Sequence, residues 1–122
     1  MMKKILIIED TPIHLKKLKE ILLPKYDIVL SKTGEKGIEL ALDNKIDLIL
    51  LDILLPGMSG YEVLDVLKSK EETKDIPVIF ITSMDSENEE QGLRSGIVDC
   101  IPKPFVDDVV SERVDLQLKL ST

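Results

Sequence analysis

Five side chains in this sequence are of the types that hold hard metal ions or handle phosphoryl groups, and each stands where an apolar run ends. Glu9 and Asp10 close the run that starts at Lys4, and Asp52 closes the run from Ile46, just before Pro56-Gly57. Thr82 follows Pro77 to Ile81, and Lys103 follows Val98 to Pro102. If these runs are parallel strands, all five residues lie along one edge of a sheet, where open α/β folds keep their ligands. Three carboxylates brought together repel one another, so one of them holds a proton or a cation sits among them. An all-oxygen set favours a hard ion. A few carboxylates completed by waters suit Mg²⁺, with Mn²⁺ as its substitute, better than a fully caged Ca²⁺. Lys103 adds a fixed positive charge and Thr82 a hydroxyl donor. A cation, an ammonium and a hydroxyl around one aspartate match what a phosphoryl group needs when it transfers to a carboxylate oxygen, here that of Asp52.

Taken singly, each residue has a plainer explanation. Asp52 can be a loop cap, Thr82 a β-branched strand residue, and Lys103 a surface lysine or a partner to one of the acids. Their joint placement favours chemistry. The lone His14 falls within the first helix and Cys100 stands alone, which argues against zinc.

The elements that must position these groups are legible as apolar runs of strand length alternating with segments of helical period, the signature of βαβ units. Five strands are expected: Lys4 to Glu9, Asp27 to Leu30, the run ending at Asp52, Pro77 to Thr82, and Val98 to Pro102. The second, with the shortest apolar run, reads as an edge strand. Thr11 and Pro12 begin a first helix with a stripe of Leu15, Leu18, Ile21 and Leu22, ended by Pro24. A second helix follows Thr33-Gly34 and is expected to bury Ile38, Ala41 and Leu42. Ser59 and Glu62 have capping-box spacing ahead of a third helix, with Val63, Leu64 and Leu67 as its buried face. Ser86 and Glu89 repeat that spacing before a fourth helix that runs to Ser95 and has little except Leu93 to bury. The last helix, from Val106, carries Val106, Val109, Val110, Val114, Leu116, Leu118 and Leu120 over about half its circumference, more than the roughly 100° a surface helix needs.

With 122 residues, the chain suits one domain with one substantial core. One cysteine excludes an internal disulfide framework and fits a reducing, cytoplasmic setting. The apolar run after Lys3-Lys4 is too short for a signal peptide, and no segment is long enough to cross a bilayer. A net charge of −7 argues against direct nucleic-acid binding by this domain.

Over essentially its whole length the sequence resembles the receiver domain of two-component response regulators, similar to the chemotaxis-regulator fold. Glu9-Asp10 match the family's acidic pair and Asp52 its phosphoacceptor. Pro56-Gly57 and Gly60 match the loop that follows, while Thr82 and Lys103-Pro104-Phe105 match the hydroxyl and lysine positions. The resemblance implies a flavodoxin-like, doubly wound, five-stranded parallel sheet of order 2-1-3-4-5 with five helices, one receiver domain over residues 1–122. It implies Asp10, Asp52 and the main-chain carbonyl of Leu54 as Mg²⁺ ligands, Glu9 acting through water, and a cis Lys103–Pro104 bond. It also implies a phosphoryl donor: a sensor histidine kinase, a phosphotransfer protein or a small phosphodonor. In this reading the module is not an enzyme, beyond catalysing its own phosphorylation and its own dephosphorylation.

Four positions depart from the commonest pattern. Cys100 replaces the aromatic residue three before the lysine, so no ring can switch there. Ser83 stands where alanine is frequent. Leu54 and Met84 place two apolar side chains beside the site, which should slow hydrolysis of a phosphoryl group. The signal is expected to leave through the fourth helix, fifth strand and fifth helix, toward a second copy or an output domain. Among alternatives, a haloacid-dehalogenase-like phosphatase would carry an aspartate where this chain has Leu54, and a flavodoxin-like FMN protein would need a phosphate cradle in place of Asp10-Thr11-Pro12. A non-phosphorylated pseudo-receiver is disfavoured by the full set of acids and lysine.

Overall fold

The computed structural model describes residues 2–82 and 96–121. Five strands form one parallel sheet: β1 (Lys4–Ile8), β2 (Asp27–Ser31), β3 (Leu48–Asp52), β4 (Val78–Thr82) and β5 (Asp99–Pro102), in the order β2-β1-β3-β4-β5. Four helices lie among the described residues: α1 (Pro12–Leu22), α2 (Gly34–Asp43), α3 (Gly60–Ser69) and α4 (Asp107–Leu120). The sheet order is the one expected. Four helices stand against the expected five, because the one expected from Ser86 to Ser95, with Ser83 and Met84 before it, falls outside the described residues. The final helix of the sequence reading is therefore α4.

Helices on both faces explain the unbroken apolar runs. β3 and β4 are buried at every position. Successive side chains point to opposite faces. Ile5, Ile7, Leu48, Leu50, Ile79 and Ile81 therefore pack with Leu15, Leu18 and Leu22 of α1 and Val110, Val114 and Leu118 of α4. Leu6, Ile8, Ile49, Leu51, Val78 and Phe80 pack with Ala41 of α2 and Val63, Leu64 and Leu67 of α3. The edge strand β2 is only partly covered.

Strand ends shift by a residue from the sequence reading, and several local details depart from it. β1 ends at Ile8 rather than Glu9, although the Glu9 N–H still donates to Ser31 O at 3.0 Å. Thr11 caps α1 by its backbone, with no side-chain capping bond. On α2, Leu42 is exposed and Ile38 half-buried, while Gly34 and Gly37 are buried with Ala41. A Cβ on Gly37 would lie 2.4 Å from Ile8 Cδ1, so the helix sits too close to the sheet for larger side chains there. On α4 only Val110, Val114 and Leu118 are buried, a narrow stripe at four-residue spacing, whereas Val106, Leu116 and Leu120 are exposed. The expected capping box on α3 is present, with Ser59 accepting from the Glu62 N–H and Glu62 accepting from the Ser59 N–H. No described helix is long and apolar enough to cross a membrane.

Candidate functional site at the carboxyl edge of the sheet

Three strand ends build the site. Asp52 is the last residue of β3, Thr82 the last of β4, and Glu9 and Asp10 follow β1 directly. Because β1, β3 and β4 are adjacent and in register, with Ile8 opposite Leu51 and Asp52 opposite Ile81, their last residues come together at one edge. Lys103 follows β5, and its N–H donates to Thr82 O at 2.8 Å, which ties the start of the following loop to β4. The Lys103–Pro104 bond is cis, as the family resemblance implied.

Asp52 is 3 % exposed. Its Oδ1 accepts from the Leu54 N–H at 3.0 Å and its Oδ2 from Lys103 Nζ at 3.2 Å. Lys103 Nζ also lies 3.4 Å from Glu9 Oε2. Carboxylate oxygens of Glu9, Asp10 and Asp52 lie within 4.8 Å of one another. Glu9 is fully buried, whereas Asp10 is half-buried. Burial, together with the adjoining Glu9 carboxylate and its negative charge, pushes Asp52 from 3.8 up to about 6, against the opposing pull of the Leu54 N–H and Lys103. Burial would raise Glu9 too. The adjoining Asp52 and His14, the Lys103 charge and the Thr11 N–H outweigh this and hold it below its ordinary value. The two acids therefore titrate as an interacting pair, with Asp52 raised and Glu9 lowered.

The loop after β3 is shaped by glycines. Gly57 has φ +79°, and a Cβ on Gly60 would lie 2.5 Å from Asp52 O and 2.7 Å from Ile53 Cα. Gly60 N–H donates to Ile53 O at 2.8 Å, so the start of α3 closes directly under Asp52. Only glycine permits that approach. Leu54 itself is 71 % exposed, beside the site. Thr82 is buried, and its Oγ1 has no hydrogen-bond partner among the described residues. Every acid, the lysine and the threonine singled out by sequence therefore converge here.

Sequence reasoning missed His14. Its Nδ1 lies 3.1 Å from Glu9 Oε1, and its ring meets Phe105 edge-on with centroids 5.5 Å apart. The only signal was its place in the first turn of α1, five residues past Glu9.

The donor set fits a hard divalent ion. All three candidate ligands are oxygens, and Glu9 Oε2 is a buried oxygen with no hydrogen bond among the described residues.

Comparisons with known proteins agree. The family described as "Response regulator receiver domain" matches residues 5–115. The chain is 37 % identical to a Vibrio cholerae protein called "Probable cyclic di-GMP phosphodiesterase", over 94 % of this chain and 26 % of that protein. It spans about a quarter of that relative's length. It is 32 % identical to Protein PilH of Pseudomonas aeruginosa, over 96 % of this chain and 98 % of that one. The receiver domain of the sensor histidine kinase PA1611 from Pseudomonas aeruginosa, crystallised with magnesium in its active-site cleft, shares the fold. It superposes with a TM-score of 0.89 at 23 % identity, covering 98 % of this chain and 99 % of that one.

Proposed function

The chain belongs to the response regulator receiver domain family, and on that premise we propose that it is a phosphorylation-controlled signalling module with Asp52 as phosphoacceptor. The observation that carries the reading is the position of Asp52: buried at the end of β3, hydrogen-bonded to Lys103, with Glu9 and Asp10 beside it. An Asp52 oxygen attacks phosphorus on a phosphohistidine of a partner kinase or phosphotransfer protein, or on a small phosphodonor. A P–O bond to Asp52 forms as the P–N bond of phosphohistidine breaks, its electron pair leaving with the imidazole nitrogen, which takes up a proton; with acetyl phosphate the P–O bond breaks instead and acetate leaves with the pair. Lys103 offsets the added negative charge, and the Thr82 hydroxyl, which has no partner among the described residues, donates to a phosphoryl oxygen. Asp10, Asp52 and the Leu54 carbonyl would hold Mg²⁺ or Mn²⁺, with Glu9 acting through water. Bound there, the ion supplies the charge neutralisation that lets a phosphoryl oxygen approach these carboxylates.

In this reading the module turns over no separate substrate, so it is not an enzyme in the ordinary sense. Its setting is cytoplasmic and its partners are proteins rather than DNA, in keeping with the net charge of −7. The readout runs through β5, α4 and the segment between β4 and β5, toward a second copy or an output domain. The exposed Val106, Leu116 and Leu120 support this, since they are apolar surface in want of cover. Intact mass after incubation with acetyl phosphate tests the chemistry. One added phosphoryl group that requires both Mg²⁺ and Asp52, and is absent in Asp52→Asn, is the expected result. No adduct on the folded native chain, from acetyl phosphate or a phosphorylated kinase, would refute it.

A further inference from the structure

We propose that His14 is a positioning residue for Glu9, holding one oxygen of that carboxylate so that the other faces the ion site; the inference rests on the magnesium reading above. Glu9 is fully buried, yet its two oxygens are treated differently. Oε1 accepts from the Thr11 N–H at 3.3 Å and lies 3.1 Å from His14 Nδ1. Oε2 has no hydrogen bond among the described residues and faces Lys103 Nζ at 3.4 Å. A carboxylate turns about its last bond unless one oxygen is anchored, and a single amide at 3.3 Å is a weak anchor.

His14 supplies the second anchor from a ring that is itself held. It sits in the first turn of α1, and its edge contact with Phe105 spans 5.5 Å between centroids at 79°. Phe105 in turn packs against the core formed with α1 and α4. The contact with Glu9 also dictates the tautomer. An unprotonated Nδ1 would point a lone pair at a carboxylate oxygen, so Nδ1 carries the proton and donates. A group that orients a ligand in this way tunes metal affinity without touching the ion.

The test is calorimetric titration of Mg²⁺ into the native chain, His14→Phe and His14→Asn, with circular dichroism to verify each fold. Phenylalanine keeps a ring against Phe105 but has no donor, while the asparagine amide can place an N–H near the position of Nδ1. His14→Phe should weaken Mg²⁺ binding by about 10-fold, and His14→Asn should restore most of it. Native affinity in His14→Phe, or equal losses in both variants, would overturn the inference and leave the magnesium site standing. A native chain that binds no Mg²⁺ would remove the site and the inference together. Because His14 is the sole histidine, ¹⁵N-correlated spectra of the native chain at about pH 8 report its tautomer unambiguously. Protonation on Nδ1 is expected, and protonation on Nε2 alone would refute the donor role whether or not the variants fold.

Discussion

Replacing Asp52 by asparagine should stabilise the metal-free chain. In the native protein Asp52 is buried against Glu9, and its carboxyl moves from 3.8 to about 6. An acid raised in the folded state favours folding only while protonated. Its penalty is absent below the ordinary value, grows as pH climbs between the two values, and is complete above about 6. At roughly 1.4 kcal/mol per tenfold, that gap costs about 3 kcal/mol near pH 8. Glu9, held low partly by the same contact, returns part of this; the Lys103 charge is already counted in the value of about 6. A net gain of about 1–2 kcal/mol remains, equivalent to a Tm rise of roughly 4–8 °C for a chain of this size. Asparagine still offers Leu54 an acceptor, so the loop after β3 is preserved. Differential scanning calorimetry in EDTA at about pH 8 and about pH 5 measures the effect. The advantage of Asp52→Asn should be clear at the higher pH and roughly halved at the lower, which lies between the two values, where Asp52 is mostly protonated in the fold but ionised in the unfolded chain. Added Mg²⁺ at about ten times its Kd should stabilise the native chain by about 1.4 kcal/mol, and the variant by much less. A variant no more stable than the native chain at the higher pH, or an advantage that does not change with pH, would refute the coupling of Asp52 to Glu9.

Two further outcomes follow from the loop after β3. Gly60→Ala places a Cβ 2.5 Å from the Asp52 carbonyl, which is backbone and cannot swing aside, so chemical denaturation should show a loss of about 1–3 kcal/mol. Unchanged stability would mean that the start of α3 is not held against β3 as described. Leu54 is exposed beside the site, and as an apolar side chain it cannot orient an attacking water. The Asp52 phosphoform should therefore persist for minutes by mass spectrometry, and Leu54→Asn should lose it several-fold faster. A native phosphoform that decays within seconds would count against this.

The sequence by itself determined the strand runs, their parallel α/β arrangement and the set of polar residues at their ends. These are local signals: an unbroken apolar run means burial on both faces, and a carboxylate at its end lies at the ligand edge of whatever sheet forms. The capping box at Ser59 and Glu62 was legible for the same reason, because its partners are three residues apart. Tertiary structure alone decided which acid is desolvated. Glu9 and Asp10 are neighbours in sequence, yet one is fully buried and the other half-exposed, since that depends on where β1 lies between β2 and β3. It likewise decided that Leu42 faces solvent while Gly37 lies against Ile8, and that α4 buries only every fourth residue of its broad apolar surface. The closeness of Glu9 and Asp52, the seat of Gly60 beneath Asp52 and the anchoring of Glu9 by His14 are contacts between separate elements. Their distances follow from strand order and helix docking, which the hydrophobic period of a single segment does not encode.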